Sequence, residues 1–151
     1  MNIGIILNSL DNNQLAVETI LSINSEINNQ SKDDYRIFFE NINLRVFEPT
    51  CAVMNISEIF NYTGILISTT LSNTKLALKT TGDIQRIFYV WDLEWLRREK
   101  NYLDNLAVYR NPNIKLVTRS ADYAQMIQNY TNRAVDLILP TTIIGRMKEC
   151  L

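Results

Sequence analysis

The feature that most constrains this sequence is a repeated alternation. Short apolar bursts are each followed by a polar stretch in which apolar residues recur at helical spacing. A parallel strand covered on both faces needs apolar residues at successive positions, whereas a helix packed on a sheet needs only one apolar stripe. The alternation therefore signals βαβ units. The first burst is residues 3–7. Ser9, Asp11 or Asn13 can then cap a helix carrying Leu15, Ala16, Ile20, Ile23 and Ile27. Residues 35–39 form a second burst, rich in the aromatic and β-branched residues that strands favour. Residues 41–49 read as irregular up to Pro49, and residues 51–54 as a short third strand.

Residues 64–68 come next, with Thr69, Thr70 or Ser72 as caps for a helix through Leu76, Ala77 and Leu78 that ends at Gly82. Residues 86–91 give the strongest strand expectation. Helical spacing over 93–109 follows, closed by the turn residues Asn111, Pro112 and Asn113. Residues 114–118 are a further strand. Ser120 then caps a helix with Tyr123, Ala124, Ile127 and Tyr130 on one side, residues 135–139 form the last strand, and 141–151 a short helix packed back on the sheet. The expectation is a single α/β domain over residues 1–151. It is a three-layer Rossmann-like domain with a mainly parallel sheet of about six strands.

Composition narrows the function. The chain has 151 residues, enough to bury roughly two-thirds of the surface its unfolded form exposes without metals or disulfides. Fifteen Lys plus Arg against 16 Asp plus Glu give a net charge of −1, which argues against a dedicated nucleic-acid binder. The count of zero His excludes imidazole as base, proton shuttle or metal ligand, and Cys51 and Cys150 have no zinc or redox spacing, so no metal site is expected. No stretch is long and apolar enough to span a bilayer, and no signal-peptide pattern opens the chain. The expected location is the cytoplasm of the producing cell.

In open parallel sheets, ligands sit beyond the carboxyl ends of the strands, where loops and helix starts converge. This rule collects Asn8, Ser9 and Asp11 after the first strand, Ser68, Thr69 and Thr70 after the fourth, Asp92, Glu94 and Trp95 after the fifth, and Arg119 and Ser120 after the sixth. Hydroxyls and amides of this kind suit a polyol or sugar, and Arg119 suits an anion. The same residues are also what helix starts require for capping, and both readings stand at this level. The first loop, Asn8-Ser9-Leu10-Asp11-Asn12-Asn13, has no glycine, and the chain has only 4. A dinucleotide or Walker phosphate loop needs glycines so that backbone can approach the phosphates. NAD, FAD and ATP are therefore not expected, and no cofactor is assigned.

Trp91-Asp92-Leu93-Glu94-Trp95 is the most unusual local segment. Two carboxylates between two indoles can supply a general base or a stacking platform for a sugar. Alternatively, Trp91 ends a buried strand, Asp92 caps the next helix, Glu94 lies in its first turn and Trp95 packs. Arg97, Arg98 and Lys100, offset by Glu94 and Glu99, read as a solvated helix face.

The stretch from Lys115 through Thr118, Arg119, Ser120 and Tyr123 to Leu139-Pro140 resembles the end of the N-terminal half of two-domain GT-B glycosyltransferases. There a strand ends at a Ser, a helix follows, and a second strand runs into a Pro. Residues 87–92 resemble the preceding strand of that half, and residues 88–95 are similar to short proteins of tailed bacteriophages. The resemblance implies a half-enzyme fold without the second domain, which in that family holds most of the nucleotide-sugar. It thus implies a non-catalytic binding or structural module, placed with a protein partner or in a larger assembly such as a virion. The alternative it implies is a glycosyltransferase component with Asp92 as base, whose sugar or nucleotide-sugar site is completed by a partner chain.

Overall fold

The computed structural model describes residues 1–44, 46–94 and 101–151. The first burst becomes β1 (Asn2–Leu10), in which residues 3–7 are all buried, as a strand with helices on both faces requires. The chain continues through α1 (Gln14–Asn28), β2 (Asp34–Ile42), β3 (Ala52–Asn55), a 3₁₀ segment (Ile56–Asn61), β4 (Gly64–Ser68) and α2 (Leu71–Ala77). It closes with β5 (Ile84–Val90), α3 (Tyr102–Arg110), β6 (Lys115–Thr118), α4 (Ala121–Thr131), β7 (Leu137–Ile138) and a terminal 3₁₀ helix (Ile144–Cys150).

The strands form one sheet in the order β3-β2-β1-β4-β5-β6-β7, and every pairing is parallel. This is a Rossmann-like α/β fold with a seven-stranded parallel sheet. The last strand expected, over 135–139, is β7, reduced to two residues at the sheet edge and anchored by the Asp136 N–H donating to Leu116 O and the Leu139 N–H to Thr118 O.

Side-chain alternation along the strands sorts the chain into three layers. Ile3, Ile5 and Leu7 of β1, with Ile87 and Tyr89 of β5, pack with Ile20 and Ile23 of α1 and with Ile144 and Met147 of the terminal 3₁₀ helix. On the opposite face, Phe88 and Val90 meet Leu71, Tyr109 and Ile127 from α2, α3 and α4. Ile6, Phe38 and Leu66 there meet Ile59 and Ala77. The last eleven residues thus pack back on the sheet as expected.

Several boundaries differ from the sequence expectation, each for a local reason. β2 runs on to Ile42 because it keeps pairing with β1 through Leu10, so the irregular stretch starts later than residue 41. α2 stops at Ala77 instead of reaching Gly82. The Arg86 guanidinium takes over the carbonyl at the helix end and one just beyond it, its Nε donating to Ala77 O at 2.9 Å and its Nη2 to Thr80 O at 2.7 Å. Of the helical spacing over 93–109, α3 realises the part from Tyr102, while 95–100 lie outside the described residues. On α4 the inward face is Ile127 and Thr131, and Tyr130 is exposed rather than packed. Gly64, which opens β4, has φ +119° and sits where an added Cβ would lie 2.6 Å from Asn2 O, so glycine is required for β4 to start beside β1.

Candidate functional site: the crevice between β1 and β4

β1 feeds α1 on one face of the sheet, whereas its neighbour β4 feeds α2 on the other. The two connections diverge and leave a crevice at the carboxyl ends of these strands, the usual ligand position in such sheets. A cleft of about 180 Å³ occupies this point, lined by Leu7, Asn8, Ser9, Asn13, Leu15, Thr69, Thr70 and Trp91. The structure therefore brings Asn8, Ser9, Thr69 and Thr70 together, and adds Asn13 and Trp91.

The polar groups of the cleft are held by their neighbours. Asn13 is the N-cap of α1, with Oδ1 accepting the Ala16 N–H at 2.9 Å. Asp11 lies behind it. Its carboxylate accepts the Ser9 hydroxyl at 2.7 Å and the Asn13 N–H at 2.8 Å, and these bonds, led by that from Ser9, hold its carboxyl below the usual range. Across the crevice, Thr70 caps α2 and donates its hydroxyl to Asn8 Oδ1 at 3.1 Å. The Asn73 side chain, 1% exposed, donates Nδ2 to the same oxygen at 2.6 Å. Thr69 donates its hydroxyl to Ile6 O at 2.8 Å.

The remaining sequence candidates do other work. Ser68 is buried beside Thr74 Oγ1, at 2.7 Å, and donates to Ile87 O, tying β4 to β5 and α2. Glu94 Oε1 accepts the Leu71 N–H at 2.9 Å, satisfying the first donor of α2 from a distant part of the chain. Asp92 is half-buried after β5 and is not among the described residues that line the cleft. Trp95, like Arg97, Arg98 and Lys100, lies outside the described residues. Ser120 is the N-cap of α4 and accepts the Tyr123 N–H at 3.2 Å. Arg119 stacks its guanidinium over Trp91 at 4.7 Å and Tyr123 at 5.2 Å, and donates Nη2 to the Tyr123 hydroxyl. That stack fixes the back of the indole facing the cleft.

Beneath Trp91, its ring centroid 6.1 Å away, Tyr89 belongs to a polar chain. Its hydroxyl lies 3.4 Å from that of Thr142, which donates to Glu18 Oε2 at 2.9 Å. Burial pushes the Tyr89 phenol up, so it stays neutral. This chain ties α1 to the segment after β7 and stiffens the floor on which Trp91 stands.

Sequence reasoning missed Asn73. A single Asn inside a helix pattern reads as a solvated position, and only its burial against Asn8 reveals its role. Asn13 and Trp91 carried signals of their own, as a cap candidate and as the end of the aromatic strand. Among the described residues no helix is long and apolar enough to cross a membrane. No protein-family model, no curated protein and no solved structure matches this chain.

Proposed function

We propose that the protein is a non-catalytic binding module that takes a small hydroxyl-bearing ligand, of the sugar class, in the crevice between β1 and β4. The observation that carries this reading is the lining itself. Hydroxyls and the carboxamides of Asn8 and Asn13 share the cleft with Trp91 at the switch point of the sheet, which is the composition that recognises a ring with apolar faces and polar edges. The sequence resemblance to the N-terminal half of GT-B glycosyltransferases agrees with a sugar-class ligand. No carboxylate stands among the described lining residues to act as a general base, which supports binding rather than transfer.

Trp91 makes the reading testable by tryptophan fluorescence. Titration with sugars is expected to change the emission saturably, and Trp91→Phe is expected to remove the response. A response that survives unchanged in Trp91→Phe contradicts the assignment of the cleft.

A place in a larger assembly is a second reading, favoured by one observation. Ile42 at the end of β2 and Leu44, Val46 and Phe47 in the connection that follows are each exposed, Leu44 to 93%. Native mass spectrometry of complexes from the producing cells tests it. Fixed stoichiometry with another chain supports this reading, and recovery of the chain by itself opposes it.

A further inference from the structure

Resting on the sugar-class reading, we infer that the crevice holds a single uncharged sugar ring, with Asn8 donating to one ligand hydroxyl and Ser9 accepting from another, and with buried Asn73 as the positioning residue that fixes Asn8. The assignment of donor and acceptor follows from bonds already spent. Asn8 Oδ1 accepts from both Thr70 Oγ1 and Asn73 Nδ2, so its carboxamide orientation is set, and its Nδ2 makes no hydrogen bond to the described residues. Asn8 is exposed, so this amide is left as a donor for a ligand. Ser9 has the opposite polarity. Its proton is committed to the Asp11 carboxylate at 2.7 Å, leaving oxygen lone pairs, one of which accepts from Asn13 Nδ2 at 3.2 Å. The Thr69 proton is likewise committed to Ile6 O, so Thr69 also offers only acceptance.

The two residues reach the cleft from opposite faces of β1, because side chains alternate along a strand. A donor therefore stands on the α2 side and an acceptor on the α1 side. A sugar ring, whose hydroxyls both donate and accept, satisfies both at once.

Size and charge select against a nucleotide. The cleft measures about 180 Å³, below the roughly 300–1,000 Å³ of sites for drug-sized ligands. Its described lining contains no cation, and an ionised Asp11 stands directly behind Ser9 and Asn13. Arg119 faces Trp91 and Tyr123 rather than lining the cleft. A phosphate placed here lies near the Asp11 carboxylate behind the lining and meets no counter-charge among the described lining residues.

Calorimetric titration of the intact protein tests this with three probes: a panel of methyl glycosides, uridine diphosphate, and the corresponding nucleotide-sugar. The expected result is millimolar binding of at least one methyl glycoside and none of uridine diphosphate. Asn8→Asp, which turns the donor into an acceptor, is expected to remove glycoside binding. Asn73→Ala is expected to weaken it about tenfold while the Asn8 side-chain amide signals in the NMR spectrum lose their distinct positions, a readout that general destabilisation does not produce. Asn73→Asp, which keeps the oxygen but loses the donating amide, is expected to behave like Asn73→Ala. Binding of the nucleotide or nucleotide-sugar without the glycosides, with Asn8 and Ser9 perturbed, overturns this inference and leaves the hydroxyl-ligand reading standing through the ribose. Absence of binding by all three probes overturns both.

Discussion

Glu94 accepts the backbone N–H of Leu71 at 2.9 Å, so a carboxylate 23 residues further along the chain caps the start of α2. The pair locks the segment after β5 to the helix that forms one wall of the crevice. Glu94→Ala is expected to cost about 1 kcal/mol in denaturant unfolding, the usual loss for a helix cap, and to leave sugar affinity unchanged. A loss of binding without a loss of stability would return Glu94 to the site.

Asp33 provides a pH-dependent clasp. It accepts from the N-terminal ammonium at 3.3 Å and from Lys148 Nζ, joining the start of β1 to the terminal 3₁₀ helix. The Lys148 hydrogen bond, more than any other cause, holds the Asp33 carboxyl below its usual range. A depressed folded-state value means that the stabilisation is fully present above the unfolded value of about 3.9 and is lost as pH falls through the folded value. Unfolding of the wild type followed from pH 6 down past pH 4 is expected to show this loss, and Asp33→Asn is expected to show a shallower fall over the same window. At neutral pH the substitution is expected to cost about 1 kcal/mol, as suits a partly exposed pair.

Arg119 lies between Trp91 and Tyr123, and its contribution depends on a planar group facing two rings. Arg119→Lys keeps the charge but loses the stacking, with an expected cost of about 1 kcal/mol in stability and a several-fold weaker fluorescence response to sugars, because the indole is less firmly set. An unchanged affinity would show that the stack does not position Trp91 for a ligand.

Two glycines with equally close neighbours are predicted to differ in how they tolerate substitution. Gly64→Ala forces a side chain into a φ of +119° and toward Asn2 O. Gly145→Ala places a Cβ 2.6 Å from the Glu26 carboxyl carbon, where the terminal 3₁₀ helix closes on α1. Gly64→Ala is expected to cost about 1–3 kcal/mol by thermal unfolding, whereas Gly145→Ala, which meets only the movable end of the Glu26 side chain, is expected to cost well under about 1 kcal/mol.

The layers were legible because burial on both faces of a parallel strand leaves apolar runs such as residues 87–90, and because Ser120 caps its helix as its position before α4 suggested. The ends of elements were less legible, since they depend on partners far away in sequence. Arg86 ends α2, and β1 prolongs β2 past residue 41. In the site, Asn8, Ser9 and Thr69 follow from the strand-end rule, but the same rule also collected Ser68, whose hydroxyl turns to Ile87 O, and Glu94, which caps Leu71. Residue type cannot separate a hydroxyl that faces a cleft from one that ties two strands together. Asn73 shows the converse, a polar residue that sets the site from beneath and carries no local signal.

The most direct test of the central claim is residue-by-residue NMR mapping of a sugar titration. The account predicts graded, saturable shifts confined to the amides of Asn8, Ser9, Asn13 and Thr70 and to the Trp91 indole N–H, with the Asn8 side-chain amide among the largest. Shifts centred instead on the groove between α1 and residues 140–143, lined by Glu18, Leu21 and Glu26, or no saturable shift with any sugar, would contradict it.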